Sequence, residues 1–509
     1  MADAKTLSAL IETGADDATA LSAPGGKPLT FRALRALVAG TICELNGNGI
    51  GRGDRVAIVL PNGPEMAAAF IAIAAGTTSA PLNPSYKADE FEFYLKDLNA
   101  KLLIVAEGAD SPAIGVAEKL GVAIARLKPL PEDGAGAFRL AFPAGGSKTP
   151  AQTGAAEPDD IALVLHTSGT TSRPKIVPLT QSNVCASARN IRNGLAFSPE
   201  DRGLNIMPLF HIHGLIAGTL APLSAGGQVC CTPGYSLSKF FGWMQEAHPT
   251  WYTAVPTMHQ DILAKAKDHP EIVKANKLRF IRSSSSSLPP QVMKEMEEVW
   301  GAPVLEAYGM TEAAHQMASN PLPPRPRRPG SVGVAAGPEV QVVDLDGEPV
   351  APGETGEIVI RGDNVMKGYE NNEKANAEAF TKQGWFRTGD QGVMDADGYL
   401  SITGRLKEII NRGGEKISPR EIDEVLMDHP AVRQCVTFAM PHDRLGEEVA
   451  AVVVLREGAD ADETAIREFA GIHLAKFKVP AKILFMDEIP KGATGKLQRI
   501  GLAQKLGLG

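Results

Sequence analysis

Cysteine is scarce in this chain of 509 residues. The five present (Cys43, Cys185, Cys230, Cys231 and Cys435) never form the C-x-x-C spacing of a zinc ribbon or redox pair. They read as reduced, buried thiols. An excess of positive charge is also missing. Against 51 Lys and Arg stand 59 Asp and Glu, a formal charge of -8, which argues against a non-specific nucleic-acid binder. No apolar run is clean enough to cross a bilayer: the most apolar one, GPEMAAAFIAIAAGTTSA from Gly63, is interrupted by Glu65, Thr77 and Thr78. The N-terminal MADAKTLSALIETGADD has no apolar signal core, and the final KLGLG is no peroxisomal address. The expectation is a cytoplasmic protein with neither membrane nor nucleic acid as partner. A Walker A loop is absent too. In HTSGTTSRPK, Pro174 stands where the second glycine belongs, and in GATGKLQR, Pro490 replaces the first.

What is present is alternation. DRVAIVL (54–60) reads as a strand, PNGPEMAAAFIAIAAG as a helix, TSAPLN as a strand, DEFEFYLKDLNA as a helix and KLLIVA as a strand. The pattern recurs around FFGWMQEAHPTWYTAV and PPQVMKEMEEVWGAPVLEAY, and it implies parallel βαβ units. From 331 the texture changes to short alternating strands with Gly-Asp turns, an antiparallel or barrel-like segment. After Arg405 a compact α+β pattern begins. The expected fold is therefore α/β: a large N-terminal body over 1–404 with a barrel-like β segment, and a small, mobile α+β cap over 405–509. PLPPRPRRPG (321–330) reads as a basic, polyproline-like surface loop.

The chemistry concentrates in separate short motifs. LHTSGTTSRPKIVPLTQ (165–181) follows the strand IALVL and precedes a helix expected to start near Thr180. A strand, a Ser/Thr/Gly-rich turn and a helix can hold phosphate through backbone N–H groups, hydroxyls and the cations Arg173 and Lys175. YGMTE (308–312) puts Glu312 at a strand end, and TGD (388–390) puts Asp390 where a carboxylate can accept both hydroxyls of a ribose. GRLKEIINRGGEKISP (404–419) carries Arg405 and Lys407, and PKGATGK (490–496) ends in Lys496. PLFHIHG (208–214) offers His211 and His213 on an expected strand, but no third ligand is spaced for a metal.

In this order the motifs resemble the signature set of the acyl-adenylate-forming (AMP-binding) superfamily, over nearly the whole chain. The resemblance implies an AMP-forming acid–thiol ligase using ATP, Mg2+ and coenzyme A. It implies that Thr167, Ser168, Gly169, Thr170, Thr171 and Lys175 hold phosphate. Ser284, Ser285, Ser286, Tyr308, Gly309, Thr311, Asp390 and Arg405 would hold adenine and ribose, and Glu312 would bind Mg2+. Lys496, Thr167, Glu312 and His211 take the catalytic roles, Lys407 is the hinge, and Gly413, Gly414 and Lys416 meet CoA. HTSGTTSRPK, PLFHIHGLIAG, TWYTAVPTMHQ, LRFIRS, APVLEAYGMTEA, SNPLPP and INRGGEKISP together look most like the oxalate–CoA ligase group. That likeness implies a small dicarboxylate held by Ser285, His315 and His213, with a short or medium aliphatic acid or malonate as the alternative. The implied assembly is a monomer or homodimer. Two departures stand out: Ile176 replaces the usual glycine after PK, and SSSSS (283–287) is more uniform than the family's mixed segment.

Overall fold

A computed structural model describes residues 3–142, 149–167, 174–490 and 499–508. Among the described residues the strands form four sheets. One runs, in spatial order, Phe138–Ala141, Ala123–Pro129, Leu102–Ala106, Arg55–Val59, Thr78–Pro81, Ile161–His166 and Ile176–Thr180, parallel in its middle and antiparallel at both edges. The largest runs Val334–Ala335, His315–Ser319, Val304–Met310, Phe280–Ser284, Trp251–Ala254, Arg202–Asn205, Gln228–Cys231, Thr19–Ser22 and Leu29–Thr30. Its six strands from Val304–Met310 to Thr19–Ser22 are parallel. Helix Pro64–Ala74, opened by Pro64, is buried on every side from Met66 to Ala74 because it packs between these two sheets. The membrane-like stretch of the sequence is thus the central helix of the body. Among the described residues no helix is long and apolar enough to cross a membrane.

The segment after 331 takes the antiparallel alternative: Glu339–Val343, Thr355–Arg361, Phe386–Met394 and Leu400–Arg405 pair in that order. Between Arg405 and Ile410 the chain leaves this sheet for a last one, built from Glu415–Ile417, Ile410–Arg412, Gly446–Leu455, Val432–His442 and Lys482–Phe485. Helices Pro419–Met427 and Glu463–His473 pack against it.

The helix expected near Thr180 is present at Gln181–Gly194, and a strand not foreseen in the sequence, Ile176–Thr180, stands between it and the Ser/Thr-rich loop, folding back antiparallel on Ile161–His166 with His166 opposite Ile176. Ile176, Val177 and Thr180 are β-branched and suit a strand. The helix follows at Gln181–Gly194, its first turn capped by the Thr180 hydroxyl, so Ile176 sits in extended backbone where no glycine is needed. One local expectation is corrected: His213 is not on a strand but opens a helix, described below.

Glu306 is a pH-sensitive carboxyl of the body. Glu306, 1% exposed on Val304–Met310, accepts the Leu288 N–H at 2.9 Å, and burial pushes it up to about 7 despite the partial offset from Arg420. A carboxyl raised in the folded state keeps a proton there that the unfolded chain has already released. Its stabilisation is therefore full below the unfolded value near 4.5 and is lost as pH rises through about 7. Thermal melting is expected to lose stability worth about 3 kcal/mol from this group between pH 5 and 8, and Glu306→Gln should flatten that part of the profile.

Candidate active site

One hairpin organises the site. Val304–Met310 is the last parallel strand of the large sheet, and its C-terminal end turns through Thr311–Ala313 into the antiparallel strand His315–Ser319. The carboxyl end of a parallel strand is where open α/β sheets place ligands. Tyr308, Glu312, His315 and Gln316 all come from this one turn. The turn is tight: Ala314 and His315 have φ of 47° and 107°, unusual for residues other than glycine. A Cβ on Gly309 would lie 1.9 Å from the His315 carbonyl oxygen, so only glycine lets the strands approach. Asn364 holds the turn from outside, donating to the carbonyls of Ala313 at 2.7 Å and Gln316 at 3.0 Å.

At one end of the hairpin stand the groups suited to a nucleotide. Asp390, 5% exposed, lies opposite Arg405 in strand register; it accepts the Tyr308 hydroxyl and, at 2.9 Å, the Arg405 Nε–H. Glu312, 6% exposed, accepts the Tyr369 hydroxyl at 2.8 Å, and Lys175 Nζ sits 4.3 Å from the centre of the Tyr369 ring. Burial raises the Glu312 carboxyl, with Lys175 and Arg405 acting against that shift. A buried carboxylate under-supplied with positive charge is a fitting ligand for a divalent cation. Among the described residues no three His, Cys, Asp or Glu side chains gather into a metal cage. A single buried carboxylate such as Glu312 fits Mg2+, which usually takes one or two carboxylates and leaves its other positions to phosphate and water. Thr167 and Lys175 close the neck of the Ser/Thr-rich loop: Thr167 N–H donates to the Lys175 carbonyl at 3.0 Å, and Lys175 N–H to Thr167 Oγ1 at 3.3 Å. Ser168, Gly169, Thr170 and Thr171, like Lys496, lie outside the described residues.

At the other end lies a polar cluster. His213 starts a helix whose turns widen to the π form through Leu220. Such widening leaves a carbonyl without its usual partner; here the Gly214 oxygen is taken by the Thr219 hydroxyl at 2.8 Å and Asn205 Nδ2 at 3.2 Å. Gly218 lies where a Cβ would strike Asn205 at 2.7 Å. Helix and sheet are thereby close enough for His213 to reach Ser285 Oγ through Nδ1 at 3.1 Å and Thr253 Oγ1 through Nε2 at 2.7 Å. The His315 ring stacks on it, centroids 4.9 Å apart. Ser285 has a φ of 74°, and His211 Nδ1 accepts the His213 backbone N–H at 3.3 Å.

Hairpin geometry thus brings Tyr308, Gly309, Thr311, Glu312 and His315 together, with Asp390 and Arg405 at one end and His213 and Ser285 at the other. Other expected residues stand apart from these hydrogen-bond networks. The Ser284 hydroxyl donates to the Ala307 carbonyl at 2.9 Å, and Ser286 is exposed. Lys407 is exposed in the turn after Arg405. Gly413 and Gly414, with φ of 60° and 98°, form the exposed turn of a hairpin in the last sheet, beside exposed Lys416. Tyr369, Thr253, Arg282 and Gln316 belong to the site without having been singled out in the sequence. An arginine inside the strand-like FIRSS was the one signal available.

Family models match this geometry. The model described as AMP-binding enzyme covers residues 11–370, and that of the AMP-binding enzyme C-terminal domain covers 421–496. The chain belongs to the AMP-binding enzyme family. Among relatives of this family member, an oxalate–CoA ligase of Arabidopsis thaliana is 46% identical over 99% of both chains. A sulfoacetate–CoA ligase of Cupriavidus necator is 38% identical over 98% of this chain and 97% of its own. The crystal structure of ATP-bound MatB from Rhodopseudomonas palustris superposes with a TM-score of 0.88 at 30% identity, covering 98% of each chain. The mixed α/β body with a smaller C-terminal unit is the architecture expected from sequence.

Proposed function

We propose that this enzyme joins oxalate to coenzyme A in two steps, consuming ATP and releasing AMP and pyrophosphate. In the first step a substrate carboxylate oxygen attacks the α-phosphorus, the new P–O bond forms, and the bond to pyrophosphate breaks. In the second, the CoA sulfur attacks the acyl carbon of the adenylate and AMP leaves with the electron pair of the C–O bond.

Residues divide these tasks. Asp390, fixed by Arg405 and Tyr308, accepts the ribose hydroxyls. The backbone and hydroxyls from Thr167 onward, with Lys175, meet the β- and γ-phosphates, where fixed donors offset charge as it moves onto the leaving group. Mg2+ held by Glu312 would neutralise phosphate charge at the same end. His211, whose Nδ1 accepts the His213 backbone N–H, would serve the reacting carboxylate. Lys496 would bridge the attacking carboxylate and the α-phosphate. Rotation of the unit 405–509 about Lys407 would then remove that lysine and bring the Gly413–Gly414 turn and Lys416 to the pantetheine arm.

The observation carrying the choice of acid is the polar cluster of Ser285, His213, His315 and a fully buried Arg282. A fatty or aromatic acid needs apolar walls; a small dianion needs charge-assisted hydrogen bonds to replace its lost hydration. Two relatives whose names specify oxalate and sulfoacetate, each a short acid with a second anionic group, support the same class.

The test is AMP release with Mg-ATP and CoA across oxalate, malonate, acetate, octanoate and 4-coumarate. Oxalate should lead, and His315→Ala should raise its KM about 10- to 100-fold while leaving the KM for ATP unchanged. Preference for octanoate or coumarate would discard the dianion pocket and keep the adenylation chemistry.

A further inference from the structure

Arg282 is fully buried on the strand Phe280–Ser284, between Thr253 and Leu305 in register. Among the described residues no carboxylate pairs with it. Its hydrogen-bond partners are His213 Nε2, 3.3 Å from Nη1, and Gln316 Oε1, 3.2 Å from Nη2; its Nε has no hydrogen-bond partner among the described residues. A cation buried without an anion is costly, and burial pushes this guanidinium down to about 9. Such a group suits a site whose missing anion arrives with the substrate.

Its geometry also sets the state of His213. A guanidinium only donates. Facing Nη1, the Nε2 of His213 must offer its lone pair, which the Thr253 hydroxyl at 2.7 Å also approaches as a donor. The ring proton is then on Nδ1, 3.1 Å from Ser285 Oγ. Ser285 accepts that N–H and keeps its own proton to donate onward. Among the described residues, further titratable groups facing His213 include His315, stacked on its ring, and His211, which accepts its backbone N–H. Behind Arg282 lies His259, which contacts the Arg282 carbonyl at 3.2 Å and is pushed down to about 4 by burial, so it stays neutral.

We propose that Arg282 is a positioning residue that locks neutral His213 as its Nδ1–H tautomer, so that the Ser285 hydroxyl donates to the distal carboxylate of a dianionic substrate. The direction of donation, Arg282 to His213 to Ser285, rests on the geometry; the identity of the acceptor rests on the oxalate reading above.

Arg282→Met removes the donor and lets the His213 proton move to Nε2. At pH 8 the variant's KM for oxalate should rise about 10- to 100-fold, with the KM for ATP within about twofold of wild type. An unchanged KM for oxalate overturns the role. Nitrogen-15 NMR of the histidine rings in unliganded wild-type enzyme, assigned with His213→Asn, reads the tautomer even should Arg282→Met not fold. A protonated Nδ1 supports the proposal; a protonated Nε2 overturns it. Neither NMR result depends on which acid the AMP-release assay selects, so an error in the substrate reading is told apart from an error about Arg282.

Discussion

Asp390→Ala is expected to raise the KM for ATP by about 100-fold or more and to impair both half-reactions equally. An ionised carboxylate has about four acceptor positions. In Asp390 one is filled by the Tyr308 hydroxyl and another by Arg405 Nε–H at 2.9 Å, which fix its plane and leave two for the paired hydroxyls of a ribose. Hydrogen bonds to a charged acceptor are each worth about 1.5–3 kcal/mol, so losing two costs about 3–6 kcal/mol in nucleotide affinity. Arg405, its side chain 49% exposed, can turn to water; Tyr308, 8% exposed, is left with a hydroxyl it cannot hydrate. A stability loss of about 1–3 kcal/mol should accompany the kinetic effect. Ribose is present in ATP and in the adenylate alike. Pyrophosphate exchange and thioester formation from supplied oxalyl-AMP should therefore fall together, while the KM for oxalate stays near wild type. An unchanged KM for ATP would remove Asp390 from the nucleotide site.

Much of this arrangement is legible in the sequence because it is periodic. The strands and helices between 54 and 106 and again between 237 and 310 follow hydrophobic spacing that the structure reproduces, and the buried Pro64–Ala74 helix is apolar on every face. Local pattern misleads where a neighbour decides. IVPLT carries no periodic signal of its own before the helix at Gln181, and it becomes a strand because Ile161–His166 offers an unpaired edge. HIHG alternates like a strand, yet Gly214 and Gly218 serve a helix that presses on Asn205. Asp390 and Glu312 stand in recognisable short motifs. Tyr369 and Thr253 do not, since each is defined only by a partner far away in the chain: Glu312 for one, His213 for the other. Arg282 carried the faintest trace, a charge in the middle of an apolar strand.

Lys496→Ala should separate what Asp390→Ala does not. Adenylate formation is expected to fall about a thousandfold or more, since the developing charge between carboxylate and α-phosphate loses the only cation proposed to bridge them. Conversion of supplied oxalyl-AMP and CoA to thioester should stay within a few-fold of wild type. The reason lies in the division of the chain. Asp390, Glu312 and the His213 cluster belong to sheets before Arg405, whereas the residues on either side of 491–498 are tied to the last sheet and its helices: Ile489 is buried in that unit, and Arg499 ion-pairs with Asp423. Arg499 also lies 3.8 Å from Glu408, whose N–H donates to the Arg405 carbonyl, so the residue that follows 491–498 and the turn holding Lys407 are joined. A rotation at that turn would carry Lys496 with the whole unit and leave the nucleotide and acyl ends in place. Rapid-quench measurement of the two half-reactions checks this. Selective loss of the first supports a lysine that serves one step and departs, whereas equal loss of both would mean a cation fixed at the site throughout and would refute the moving unit.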